Sequence, residues 1–287
     1  MNYFYLLVLI PVVSANIVSH EYNDGYVYAD VYTYSYALDR INQRKLPLDN
    51  KLYNGQYTGS GVDVYVIDTG MNKNMYYSFI CGYNFIDNNT DCQTKAYHGT
   101  YVGSIIKSKK FGVAPGTTII NLKVLNDNGV GRTDDVIRAL DYLLDNNVTC
   151  SVVNLSLGGY KDIPLNQKID QVVKSGNRVI VSAGNSGVDA CDFSPSSARS
   201  AITVGSTNIK DRRASFSNRG KCVDIYAPGV DVIGAIGFSE YHMVSGTSVS
   251  APLVSGMTAL AMERGKCWST IKRFKRRKGL KIGFIRK

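Results

Sequence analysis

What most constrains this chain is a run of short apolar segments with the length and composition of buried strands. They fall at 62–67, 119–124, 152–157, 179–182, 201–205 and 223–227, and helical patterns separate several of them. The clearest helix follows Thr133, read as an N-cap, with Asp134 and Asp135 in the first turn and Val136, Ile137, Leu140, Leu143 and Leu144 at helical spacing. Another is expected over 166–175, stopped by Gly176. Strands that alternate with helices pair in parallel and need cover on both faces, so the fold class is α/β with a largely parallel central sheet flanked by helices. No internal repeat occurs, and no linker marks a second compact domain.

Chemistry first shows itself in Ser245-Gly246-Thr247-Ser248. Gly246 permits a sharp turn, and the residues after Ser248, namely Ala251, Leu253, Val254, Met257, Leu260 and Ala261, form a buried helix pattern. Pro252 falls in or just after its first turn, where a missing N–H costs less than in the helix interior. Ser248 thus stands at the positive end of a helix, as a nucleophile or as a plain cap.

A serine hydroxyl needs a base to take its proton and a third group to orient that base. The chain has three histidines. His20 lies close to the N-terminal apolar segment, and His242 belongs to the stretch leading into the serine turn. His98, in Tyr97-His98-Gly99-Thr100, precedes the apolar positions Tyr101, Val102, Ile105 and Ile106 and sits at a loop-to-helix junction. The acid is Asp68, at the end of the strand-like run Val62-Asp63-Val64-Tyr65-Val66-Ile67, where open α/β sheets place their sites. Asp-Thr-Gly also suits aspartic proteases, but no second Asp-Thr-Gly or Asp-Ser-Gly supplies the partner carboxylate. No His-Glu-x-x-His pair supports a metalloprotease.

The ordered set Val-Ile-Asp68-Thr-Gly, His98-Gly-Thr and Ser-Gly-Thr-Ser248 resembles the subtilisin-like serine proteases, and within them the proteinase K-like branch. The Asp, His, Ser chain order is known from subtilisin itself. Asn154-Leu155-Ser156-Leu157-Gly158-Gly159 and Ser182-Ala183-Gly184-Asn185-Ser186-Gly187 resemble two further blocks of that family. The resemblance spans roughly 190 residues and implies a three-layer architecture and an Asp68–His98–Ser248 triad. It also implies an oxyanion hole from the Asn185 amide and the Ser248 backbone N–H. Ser156, Leu157, Gly158, Ala183 and Gly184 would line the first substrate pocket, and Gly129, Val130 and Gly131 would pair with the substrate as an edge strand. Without an acid in either pocket segment, the expected preference is broad, toward apolar or aromatic residues. Asn185 also suits an ordinary Gly-Asn-Ser-Gly turn.

The chemistry requires no cofactor. A structural calcium is implied at Asp224, helped by the carbonyls of Arg199 and Ala201; an ordinary strand aspartate is the competing reading. Expected partners are protein or peptide substrates and a prodomain-like inhibitor or chaperone acting in trans, with no specific nucleic acid, no membrane span and a monomeric state. The trans partner is invoked because the short Tyr-rich stretch 16–35 takes the place of the usual prodomain before the catalytic domain, read as 36–263.

Residues 1–15 resemble a signal peptide, with an apolar core at 6–13 and Val13-Ser14-Ala15 as a cleavage site, so an extracellular location is expected. Cysteine usage agrees with secretion. Cys191 and Cys222 match positions bridged in extracellular relatives, and Cys81 with Cys92 would close a short loop before His98. Cys150 and Cys267 stay unassigned. Asn88-Asn89-Thr90 and Asn147-Val148-Thr149 are sequons. The formal net charge of +10 is local: residues 264–287 hold eleven Lys or Arg and no acid. That basic, atypical tail is read as solvated or as a nonspecific anion-binding segment, so a noncatalytic binding protein keeping the fold is the alternative function.

Overall fold

The computed structural model describes residues 3–5, 19–21, 27–29, 35–52, 55–265, 267, 275–277 and 280–284. The apolar core and cleavage site of the signal-like segment, and most of the Tyr-rich stretch, lie outside the described residues. Three short strands come first: β1 (Tyr3–Tyr5), β2 (Ser19–Glu21) and β3 (Val27–Ala29), the last two forming an antiparallel pair. Helix α1 (Tyr36–Asn42) opens the continuous domain.

The domain then runs β4 (Asp63–Asp68), β5 (Ile80–Asn84), α2 (His98–Lys107), β6 (Thr118–Lys123), β7 (Val130–Arg132) and α3 (Thr133–Asp145). It continues through β8 (Val152–Leu155), β9 (Gly159–Tyr160), α4 (Ile163–Lys174), β10 (Arg178–Ser182), β11 (Phe193–Ser194) and β12 (Ile202–Thr207). It closes with β13 (Ile225–Pro228), the hairpin β14 (Val232–Ala235) and β15 (Tyr241–Val244), and the long helix α5 (Thr247–Gly265). Seven strands form a parallel sheet in the order β13-β12-β10-β8-β4-β6-β5.

Alternation along each strand divides the core in two, because successive side chains leave opposite faces of a sheet. Val64, Val66 and Ile180 join α1, α2 and α5 on one face. Tyr65, Ile67, Val153, Leu155, Val179 and Val181 join α3 and α4 on the other. Helices α3 and α4 are amphipathic; α3 buries Val136, Ala139, Leu140 and Leu143. Helix α5 instead is buried all round over most of its length, as an interior helix is, with Val249, Leu253, Val254, Met257 and Leu260 packed beside small buried polar residues such as Ser250 and Ser255. Two helix starts differ from the sequence reading. Thr133 is the first residue of α3 and Arg132 its cap, since β7 feeds directly into the helix. Helix α4 begins three residues early because Asp162 caps it, accepting from the N–H of Leu165 at 2.8 Å, with Pro164 in the first turn.

The basic C-terminal stretch does not stand apart from the domain where it is described. β16 (Lys275–Arg277) and β17 (Leu280–Ile282) form an antiparallel pair, and β17 adds in parallel to β13. Ile282 is buried, and the Gly283 N–H donates to the carbonyl of Tyr226 at 3.0 Å. Disulfides join Cys81 to Cys92, Cys191 to Cys222, and Cys150 to Cys267; the third pair had no assignment from sequence.

Candidate active site

Asp68 ends β4, at the carboxyl edge of the parallel sheet, and is fully buried. Its Oδ1 accepts from the N–H of Thr69 at 2.7 Å and lies 2.7 Å from Nδ1 of His98. That contact assigns the Nδ1–H tautomer, so Nε2 is the ring's acceptor. His98 is the first residue of α2 and is 5 % exposed. Two glycines let the helix start come so close to the strand end. A Cβ on Gly99 would stand 2.0 Å from the carbonyl oxygen of Gly70, and Gly70 itself has φ +99°. The Gly99 N–H donates to Oγ1 of Thr69 at 3.0 Å, closing the junction.

Lys123, at the end of β6 and in register beside Asp68, supports the same turn from beneath. Its buried Nζ donates to the carbonyls of Thr69 at 2.5 Å and Leu125 at 2.9 Å. Burial lowers its pKa, opposed by the nearby carboxylates of Asp127, Asp87 and Asp68.

Ser248 is the second residue of α5, which packs against α2. Its Oγ is buried without a protein hydrogen bond, as is Nε2 of His98. Buried polar atoms are seldom left unsatisfied, and these two lie on contacting helices.

Ser248 opens onto a cleft of ≈ 470 Å³ that also gathers Ser156, Leu157, Gly158, Ala183, Gly184 and Asn185. All the residues expected in the first pocket therefore meet in one place. Among the described residues no charged side chain lines it. Oδ1 of Asn185 accepts from both the N–H and the Oγ1–H of Thr247, each at 2.8 Å, which leaves the Asn185 amide N–H group as a donor. Gly129, Val130 and Gly131 do not line this cleft. They sit on the turn and strand of β7, whose edge pairs antiparallel with β1, and β1 also lies beside β9.

Besides Lys123, two supporting residues beside the cleft escaped the sequence reading. Thr247 fixes Asn185 and accepts from the Gly184 N–H at 3.1 Å; its signal was its place between Gly246 and Ser248. Asn218 donates to the carbonyl of Ala183 and accepts from the N–H groups of Ser186 and Val188, so it shapes the Asn185 loop from a distant segment no motif marks. His242 lies in β15, exposed and away from the cleft lining.

Asp224 is exposed just before β13, and its Oδ2 accepts from the Thr203 N–H at 2.9 Å. Among the described residues no cluster of three or more His, Cys, Asp or Glu side chains gathers for a metal. A calcium there would rely on one carboxylate and backbone carbonyls, oxygen donors of the right kind, with the carboxylate already engaged by the Thr203 N–H.

The model of the Subtilase family matches residues 35–275. The chain belongs to the subtilase family. As a subtilase it is 41% identical over 232 residues to "Alkaline serine exoprotease A" of Vibrio alginolyticus, covering 79% of this chain and 43% of that protein. It is 39% identical over 234 residues to "Extracellular serine proteinase" of Thermus sp. (strain Rt41A), covering 80% of this chain and 57% of that protein. The chain thus spans about half the length of these curated relatives. The fold matches the crystal structure of a cold adapted subtilisin-like serine proteinase at a TM-score of 0.83 and 36% identity, over 89% of this chain and 99% of that one. These matches establish the subtilisin-like α/β architecture of this subtilase.

Proposed function

We propose that the chain is a secreted serine endopeptidase that cleaves peptide bonds through Ser248, His98 and Asp68. The observation that carries this reading is the buried 2.7 Å contact between His98 and Asp68, on the helix packed against the one that carries Ser248 in its first turn. Asp68 holds the Nδ1–H tautomer, so Nε2 takes the Ser248 hydroxyl proton as Oγ bonds to the substrate carbonyl carbon. Negative charge then develops on the carbonyl oxygen, where the Asn185 amide and the Ser248 N–H donate. Collapse breaks the C–N bond, His98 returns its proton to the amine, and water repeats the sequence on the acyl-enzyme. No cofactor takes part, and a calcium at Asp224 would serve stability alone.

An uncharged pocket with Leu157 and Phe193 in its lining favours apolar or aromatic residues before the scissile bond. The edge of β7 suits an extended substrate. Tyr3–Tyr5 already adds to Val130–Arg132 as an antiparallel strand, so the space for strand addition exists there. Three disulfides suit an oxidising location, and no helix among the described residues is long and apolar enough to cross a membrane.

The test is digestion of an unstructured protein with product mapping by mass spectrometry. The expected result is internal cleavage after apolar or aromatic residues, absent with Ser248→Ala. A folded wild-type chain that cleaves nothing, or a Ser248→Ala chain that cleaves equally well, contradicts the reading.

A further inference from the structure

The start of α5 contains a proline with a specific local cost. In a regular α-helix the carbonyl of Ser248 accepts from the N–H four residues on, and that residue is Pro252, which has none. A carbonyl so deprived in a buried place needs another donor. Oγ of Ser156 supplies one, donating to the carbonyl oxygen of Ser248 at 3.0 Å.

Ser156 does not act alone. Oγ of Ser255 donates to Oδ1 of Asn154 at 2.9 Å, and Nδ2 of Asn154 donates to Oγ of Ser156 at 3.0 Å. The three bonds run in one direction, the Asn154 amide and the Ser156 hydroxyl each accepting on one side and donating on the other. Ser255 and Asn154 are fully buried and Ser156 is 1 % exposed. Such a chain polarises along its length and has little room for alternative partners. It begins on α5 two turns beyond the nucleophile, crosses to the end of β8 and returns to the nucleophile's own backbone. Only Ser156 of the three lines the cleft.

We propose that Asn154 and Ser156 are positioning residues, which replace the helix hydrogen bond that Pro252 withholds from the Ser248 carbonyl and so fix the nucleophile's backbone against the wall of the substrate pocket. This rests on Ser248 being the nucleophile. The relay has two consequences. Asn154, which touches no substrate, governs turnover without governing binding. The need for Ser156 depends on Pro252, because an N–H at position 252 restores the missing donor.

The experiment is a double-mutant cycle on the full chain. Steady-state kinetics on a peptide substrate are read beside labelling rates with a fluorophosphonate, and melting temperature and disulfide content report folding. Asn154→Ala is expected to lower kcat on the order of tenfold through nucleophile misplacement, with KM within about twofold of wild type. Ser156→Ala is expected to lose kcat similarly in the wild-type background. In a Pro252→Ala background the same change is expected to cost about threefold or less, the difference being the coupling between the two positions. Should Asn154→Ala fail to fold, Ser255→Ala at the start of the relay gives the same kcat-only signature at smaller size. Folded variants with wild-type kcat, or a Ser156→Ala loss of equal size in both backgrounds, overturn the proposal. A wild-type chain that neither hydrolyses peptides nor takes the label overturns the nucleophile assignment instead, which separates the two failures.

Discussion

The two halves of the site are held in place by different means. Asp68 and His98 meet because a strand end and a helix start approach over Gly70 and Gly99, with Lys123 beneath the turn. Ser248 and Asn185 are instead fixed by side-chain hydrogen bonds from Thr247, Ser156, Asn154 and Asn218. The first half depends on backbone proximity and the second on satisfied polar groups. Steric change should therefore damage the acid–base half, and deletion of hydrogen bonds the nucleophile half.

The largest effects are expected where the proposed reacting groups themselves are removed. Ser248→Ala and His98→Ala are each expected to lower kcat/KM by several orders of magnitude, and the double variant to be little worse than either, because the groups act as a unit. Additive losses in a peptide-hydrolysis assay would break the assignment of both halves to one reaction. Next in size, Asn185→Ala is expected to reduce turnover about a hundred- to a thousandfold, a range established partly on subtilisin itself, with little change in KM. A loss confined to KM would place Asn185 in ground-state binding.

Gly99→Ala tests the steric half. Its Cβ would meet a backbone oxygen at 2.0 Å, so α2 must shift, and His98 with it. The expected outcome is a folded but destabilised protein with a kcat loss on the order of a hundredfold, as a misplacement of about 1 Å can produce. Wild-type kcat at equal stability would show that the close approach is incidental.

Much of this division was legible in the sequence, and the illegible part has physical causes. The six parallel-strand runs stood out because strands covered on both faces are rich in apolar and β-branched residues, and α3 stood out because one of its faces is wet. β5 gave no such signal, being an edge strand with exposed Ile80 and a glycine at position 82. The candidate triad, Asn185 and the pocket residues lay in ordered motifs. Thr247, Asn218 and the Asn154 relay were hidden because a serine, threonine or asparagine reads alike whether it caps a turn, faces water or completes a buried network. Their partners lie between 35 and 101 residues away in several of these bonds, which no local pattern encodes. The partner of Cys150 was equally remote, 117 residues on.

The smallest effect concerns pH. Tyr77 is buried against α2, its hydroxyl donating to the carbonyl of Thr100 at 2.6 Å. Burial raises its pKa well above the ordinary tyrosine value, with the Asn74 hydrogen bond opposing and the charge of Asp68 reinforcing the shift. The folded chain therefore keeps this proton at pH values where the unfolded chain loses it. Its contribution to stability is complete below about pH 10 and declines as pH rises beyond that toward the folded value. Melting curves should show Tyr77→Phe less stable near neutrality by about 1 kcal/mol, the net worth of one hydrogen bond, yet less sensitive to alkali than wild type. Parallel declines above pH 10 would remove Tyr77 from the account.

The most direct test of the central claim is labelling by a fluorophosphonate, with the modified residue located by mass spectrometry. A single adduct is expected on Ser248, formed by the wild-type chain and absent with His98→Ala. A folded chain that forms no adduct, or one labelled at Ser248 just as fast without His98, would contradict it.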